Sequence, residues 1–439
     1  MSDPITDAQP DEHGAYRRDG FTWAAFGALL AFGFLNSVLG PALPYLRAVE
    51  HVTYLVGALH QVAFAAGGGL AGLLATRASR DKGRAVTIRL GLFAAAIAGL
   101  GLGYGNRSGI TVPSALLMSL FGTAALIRLW AALADGHGRR RTVAMAEGEV
   151  SVSLGGIIAP LLVAGLAATA LGWRSAFVVG GIVVVVAVLA SGTVRIPRAR
   201  PGRRSGPGSS VTPARRRVPE PTLVVVFSIV ALEFSLSFWL ASYLNDSVGL
   251  SRDLAVAMVS GLYAANLVGR LVASRLARRT PTESLLLASI GLGLLGTPVL
   301  LTATSAVPAA VGLAVVGAGI GATFPLTSSL HVAGSTRAAD FAMGQVLFTA
   351  AIGQVVGPLL VGAIAQTAGL RAGLLVLPAL AVLAAIVLAR SVRRTMPRRC
   401  ERPSSGVRRR AHGLDAARSA DPSAPARQRA RSSRTARRP

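Results

Sequence analysis

The sequence predicts an all-α membrane protein of twelve transmembrane helices arranged in two similar six-helix halves. Composition gives the first reason: 52% of the 439 residues are apolar, 15% are charged, and the mean hydropathy is +0.55. A soluble domain is far more polar than this. The second reason is the recurrence, from end to end, of apolar runs near the ~20 residues that a helix needs to cross hydrocarbon. The third is an internal repeat with an offset of 198 residues. That shift carries Ala144-Met145-Ala146-Glu147 onto Ala342-Met343-Gly344-Gln345, and Pro160-Leu161-Leu162-Val163 onto Pro358-Leu359-Leu360-Val361. It also carries Tyr45-Leu46 onto Tyr243-Leu244 and Gly155 onto Gly353. One offset serving separated segments, some bearing Pro or Met, indicates a duplicated unit.

The predicted spans are residues 22–46, 52–76, 86–104, 111–134, 142–167 and 174–194, then 222–244, 253–276, 283–304, 307–331, 341–366 and 370–391. Unpaired backbone groups are too costly in lipid, so each must be helical. The chain therefore divides into an N-terminal segment (1–21), a first half (22–194), a basic linker (195–221), a second half (222–392) and an Arg-rich tail (393–439). The first segment is polar and acidic, and the first span serves as an uncleaved insertion signal. Arginine gathers in the loops after the second, fourth, sixth and eighth spans, as at Arg77 and Arg275. The positive-inside rule then places both termini in the cytoplasm, with the chain spanning the cell membrane many times.

The net charge of +26 comes largely from the linker and the tail. The tail has no aromatic residue to stack on a base, which argues against nucleic acid and for anionic lipid headgroups as the partner of these segments. Both segments have the composition of disordered chain. Cys400 is the single cysteine, so no intrachain disulfide is available. The sequence has no phosphate-binding Gly-Lys-Thr loop and no cluster at metal-ligand spacing, so no cofactor, metal or catalytic activity is expected.

Ionisable and amide groups inside spans carry the functional expectation, because each costs about 2.5–3.5 kcal/mol to insert if charged. Glu233 lies ten residues before Tyr243, and Asn36 nine residues before Tyr45, its repeat image. Both sit near the midplane. Glu233 reads either as the carrier of a coupling proton or as a protonated side chain bonding a neighbouring helix. His60 and Gln61 lie at a similar depth in the second span. His60 titrates near neutrality and could share the proton, or could be a hydrogen-bonded packing residue. Nearer the cytoplasm, Arg128 is expected to pair with Glu147 or Glu149, leaving the other carboxylate to protonate or to bind a cation. Asn266, Trp239, Thr323, Thr327 and Gln345 are further cavity candidates, and Arg270 either snorkels to the surface or pairs.

Twelve helices in two parallel halves with a basic linker resemble the major facilitator superfamily over residues 20–392. Gly72-Leu73-Leu74-Ala75-Thr76-Arg77, followed by Asp81-Lys82-Gly83-Arg84, resembles its cytoplasmic loop motif, with Gly269-Arg270-Leu271-Val272-Ala273-Ser274-Arg275 as the second copy. Thr76 and Ser274 replace the usual acidic residue, so a latch there would rely on Arg77 and Asp81. Gly155-x-x-x-Ala159-Pro160 and Gly353-x-x-x-Gly357-Pro358 resemble a Gly-Pro signature of drug antiporters, although helix packing alone would explain it. Met118 stands where such antiporters carry a basic residue. The opening from Gly33 to Pro44 resembles fucose-permease-like members. The resemblance implies that the first, fourth, seventh and tenth helices line a central cavity, which places Asn36 and Glu233 in the pathway. It further implies a monomeric, proton-coupled secondary transporter of a small molecule, working by alternating access. Efflux of drug-like or natural-product compounds is favoured over uptake of a sugar-like nutrient. The reading from a different class is a receptor or scaffold acting through the basic tail.

Overall fold

Two long spans break beside a proline, at Pro41 and Pro325, while Pro160 and Pro298 stand inside helices that continue. The computed structural model describes residues 17–77, 84–138, 141–197, 221–335 and 339–395. The acidic N-terminus, Asp81, most of the basic linker, and the tail with Cys400 lie outside the described residues, as does the side chain of Arg77. The described chain forms fourteen helices and no strand. The first half holds α1 (Gly20–Ser37), α2 (Leu39–Glu50), α3 (Tyr54–Arg77), α4 (Arg84–Tyr104), α5 (Ser108–His137), α6 (Arg141–Ala167) and α7 (Ser175–Gly192). The second holds α8 (Pro221–Asp246), α9 (Arg252–Leu276), α10 (Thr282–Leu301), α11 (Ala306–Ile320), α12 (Thr323–Gly334), α13 (Ala339–Gly373) and α14 (Val376–Thr395). Eleven segments are long and apolar enough to cross a bilayer, with α1 joined to α2 and α11 to α12; a twelfth, Val376–Ser391, is apolar but shorter. Large apolar side chains such as Leu189, Leu295 and Phe348 point outward, as lipid contact requires. The chain is a multi-pass membrane protein.

The helix ends are fixed locally. Asp19 caps α1 by accepting from the Thr22 N–H at 2.8 Å. His51, in the left-handed region at φ 53°, stops α2, and Gly369 at φ 81° bends the end of α13. We call the side on which α1 begins, and which carries Arg84 and Arg275, the basic face, and the opposite side the far face.

Within the halves, α1 packs on α6 and α8 packs on α13. Glycine makes both contacts possible. A Cβ on Gly155 would sit 2.2 Å from the Leu30 carbonyl oxygen, and one on Gly357 would sit 2.4 Å from that of Ala231. The Gly-Pro segments thus bring two backbones together in each half. A second likeness lies at the basic face. Thr22 Oγ1 meets His137 Nε2 at 2.9 Å, and Thr222 Oγ1 meets His331 Nδ1 at 2.7 Å, tying the first helix of each half to its fourth span. The halves meet through α6 with α9, α3 with α13, and α2 with α8.

Two aromatic residues of α8 hold the second half together. Tyr243, whose place in the sequence suggests the membrane surface, is fully buried and donates to the Leu300 carbonyl at 2.9 Å. Trp239 is also fully buried. Its Nε1–H donates to the Pro358 carbonyl at 2.9 Å, and its ring meets Phe238 and Tyr54 edge-on. Trp239→Phe keeps most of the apolar contact and removes the donor. It is expected to cost about 1–3 kcal/mol, measured as a lowered unfolding midpoint in detergent; an unchanged midpoint would deny the bond any net role.

Candidate functional site

Pro41 has no N–H to offer the Ser37 carbonyl one turn earlier, and the first span breaks at Val38. Pro325 does the same to the Gly321 carbonyl, and the tenth span breaks between Ile320 and Thr323. Here the freed carbonyl has a partner, because Arg270 Nε donates to Gly321 O at 3.1 Å. Close approach of α9 to this break is possible because Gly269 and Gly321 lack side chains: a Cβ on either would lie 2.1 Å from a backbone oxygen.

Beside the first break, α1, α2, α3, α8 and α9 enclose a cavity of about 90 Å³, enough for more than one water molecule. Asn36, Gln61, Glu233, Tyr263 and Asn266 supply its polar wall, together with Ser37 and Ser237, while Phe64, Phe234 and Phe238 supply rings. The structure therefore brings Asn36, Gln61, Glu233 and Asn266 into one place, from both halves of the chain. Gln61 Nε2 and Asn266 Oδ1 are buried without a hydrogen-bond partner, a donor and an acceptor left open at the cavity. Tyr263 is the residue that sequence reasoning misses. Its hydroxyl bonds Ser37 and Ser237, and it lines the same cavity as Glu233. The signal that reveals it is a polar stripe on α9, Tyr263, Asn266 and Arg270 at i, i+3 and i+7, on one helical face.

Arg270 extends that stripe toward the basic face. Its Nη1 lies 3.5 Å from Glu149 Oε2 of α6, so this pair joins the two halves. The same guanidinium also acts on Glu233. Glu149 is the carboxylate paired with this cation, and Glu233 at the cavity feels its charge from beyond ion-pair distance.

Other expectations come out differently. The pair expected between Arg128 and Glu147 or Glu149 is not formed: Glu147 binds Arg18 through two bonds of 2.6 and 2.9 Å, and Glu149 takes Arg270. Arg18 precedes the first span, and its reach over α6 depends on helix rotations that sequence spacing does not give. His60 stands with Glu50 and Thr111 rather than at the cavity. Trp239 is buried against Pro358, Phe238 and, across the halves, Tyr54, and does not line the cavity. Thr323 and Thr327 turn their hydroxyls onto carbonyls of Ile320 and Thr323. Gln345 lies on α13, its Oε1 buried without a partner.

At the far face the halves are clamped. Arg47 donates to Asp246 at 3.0 Å, the Tyr54 hydroxyl donates to the same carboxylate at 2.8 Å, and the Arg47 guanidinium lies 3.7 Å from the Tyr54 ring centroid. The Tyr45 hydroxyl donates to Asp253. Deeper in, Ser260 donates to the Ile157 carbonyl at 2.8 Å. Nearer the basic face the halves meet where Glu149 and Arg270 pair.

Comparison with known proteins agrees with this architecture. No curated protein sequence matches the chain significantly. Among solved structures, a bacterial homologue of the human lysosomal transporter Spinster, in an inward-facing and occupied conformation, superposes with a TM-score of 0.67 at 16% identity, covering 87% of this chain and 98% of that one. A point mutant of the nucleoside transporter NupG gives 0.69 at 12%, covering 86% and 100%, and a D-xylose–proton symporter gives 0.68 at 14%, covering 84% and 96%. The sequence profile of the Major Facilitator Superfamily matches residues 25–344, and the chain belongs to that family.

Proposed function

We propose that the chain is a proton-coupled secondary transporter that moves a small organic molecule by alternating access, with the cavity as substrate site and Glu233 as the proton carrier. The observation that carries this reading is the cavity itself: it is built from both halves, and Glu233 is the carboxyl in its wall. A proton on Glu233 removes the negative charge that competes for Arg270, leaving the guanidinium to Glu149 on the other half. Proton binding is thereby tied to a contact between halves, which is what coupling requires. Gln61 and Asn266, open as donor and acceptor, would bind a hydroxyl or carbonyl of the substrate, and the three phenylalanine rings would bind its apolar part.

The far-face clamp supports a state closed on that side, and the positive-inside rule makes that side extracellular in the cell membrane. Efflux of a drug-like or natural-product compound is the favoured direction, given the aromatic wall. The unpartnered amide groups favour the second reading, uptake of a sugar-like nutrient. Proteoliposomes enclosing a pH-sensitive dye separate the two. Proton movement against the direction of a lipophilic compound is expected for efflux, and proton entry together with a sugar for uptake. No proton movement with any substrate that is itself transported would overturn the coupling.

A further inference from the structure

Away from the cavity, three helices converge on a sealed polar cluster near the far face. Glu50 ends α2, His60 lies in the second turn of α3, and Thr111 lies in the first turn of α5. Thr111 Oγ1 is 2.6 Å from Glu50 Oε1 and 2.8 Å from His60 Nε2. His60 Nδ1 is 3.2 Å from the Gly57 carbonyl oxygen. The side chains of His60 and Glu50 have no exposed surface, and Glu50 Oε2, 3.9 Å from His60 Nε2, has no hydrogen-bond partner.

The hydrogen bonds count the protons. A carbonyl oxygen only accepts, so Nδ1 carries a hydrogen. Nε2 and Oε1 then face the single hydroxyl hydrogen of Thr111, for which the Arg107 carbonyl at 3.3 Å also competes. With the hydrogen on Nδ1, both short contacts are bonds only if one further proton is present; the other tautomer satisfies them without it but sets Nδ1 and the Gly57 oxygen as two acceptors 3.2 Å apart. Placed on Oε1, it lets Glu50 donate to Thr111 while Thr111 donates to His60. Placed on Nε2, it lets His60 donate to Thr111 while Thr111 donates to Glu50. Without it two acceptors share one hydrogen and a buried carboxylate stands uncompensated, which is costly. Among the described residues, the charges of the surrounding elements are engaged or exposed: Arg47 of α2 is held by Asp246 of α8, Arg371 of α13 donates to the Ser247 and Ala303 carbonyls, and His51 and Arg107 are exposed.

This cluster touches the clamp. A Cβ on Gly57 would lie 3.3 Å from Arg47 Cδ, so the turn that His60 bonds is the surface on which the Arg47 stem rests. Tyr54, the other donor to Asp246, opens the same helix. We infer that Glu50, Thr111 and His60 form a proton-holding site, separate from the cavity, that braces the contact closing the far face. Nothing in this depends on the transport reading.

The test uses the full chain in lipid nanodiscs, comparing unfolding midpoints of wild type and Glu50→Gln from pH 6 to pH 9. A glutamine amide donates to Thr111 as the protonated carboxyl does, and has no proton to lose. Below about pH 6.5 the unfolded histidine also holds a proton, so the site adds no slope. Above that value the unfolded chain binds fewer protons than the folded one, and stability falls as pH rises. The wild-type midpoint is expected to fall by several degrees more than that of Glu50→Gln; equal slopes overturn the proposal. Should Glu50→Gln fail to fold, Thr111→Ser is expected to keep the wild-type slope and Thr111→Val to lose it, and the reverse or no difference again overturns it. For the bracing, deuterium uptake at residues 47–54 and 243–253, corrected for intrinsic rate, is expected to rise at pH 9 in wild type only. Uptake that rises equally in both proteins overturns that part.

Discussion

Replacing Glu233 by glutamine is expected to abolish concentrative transport while leaving substrate binding and exchange in place. The substitution keeps the volume and the hydrogen-bonding reach of the side chain, so the cavity formed with Asn36, Gln61 and Asn266 should survive. What it removes is the ability to gain and lose a proton. One coupled proton, at a gradient of one pH unit, supports about tenfold accumulation, since a tenfold ratio is ~1.4 kcal/mol. Glu233→Gln should reduce that ratio to about one. The measurement is the steady-state ratio of labelled substrate in proteoliposomes under an imposed pH gradient, with counterflow exchange as the control. Undiminished accumulation would show that another group carries the proton, and Glu149 would be the next to test, because it pairs with Arg270, whose charge also reaches Glu233. Loss of both accumulation and exchange would instead mark Glu233 as a binding or packing residue.

The fold was legible because hydrocarbon leaves the backbone so few options. Once apolar runs of span length recur, helices follow, but proline positions alone do not place the breaks at Val38 and before Thr323, because Pro160 and Pro298 stand inside helices that continue. Asn36 and Glu233, singled out as nine and ten residues before Tyr45 and Tyr243, both line one cavity. Partners across the chain were not legible. Arg47 finds Asp246 and Tyr45 finds Asp253, about one repeat length away in sequence, and no local pattern announces such pairs. Helix rotation is the missing quantity. It decides that Glu149 faces Arg270 of the other half rather than Arg128, and that His60 turns toward Glu50 while its neighbour Gln61 turns toward the cavity. Tyr243 shows the same limit in another way, because an aromatic residue near a span end is equally suited to lipid headgroups and to a buried carbonyl.

Gly155→Ala is expected to destabilise the protein by about 1–3 kcal/mol, and Gly155→Val by more, while Gly165→Ala on the same helix should be neutral or stabilising. The added Cβ at 155 would stand 2.2 Å from the Leu30 oxygen and 2.7 Å from the Phe34 nitrogen, both backbone atoms of α1 that no rotamer change can move. From the other side, a Cβ on Gly33 would stand 2.2 Å from the Val152 oxygen, so the two helices exclude side chains from each other at this crossing. At Gly165 nothing lies within 4 Å, and alanine gains up to about 1 kcal/mol of helix propensity over glycine. Unfolding midpoints of the three variants in one detergent make the comparison. The result also decides what the Gly-Pro segments are for. Gly353 and Gly357 hold α13 against α8 as Gly155 holds α6 against α1, so packing predicts that Gly357→Ala is as damaging as Gly155→Ala. A role confined to the direction of coupling predicts instead that transport changes while the midpoints do not. Two glycine contacts, one in each half, are what rigid six-helix units need if they are to rock about the cavity as bodies, so stability is the property in which the loss should be read.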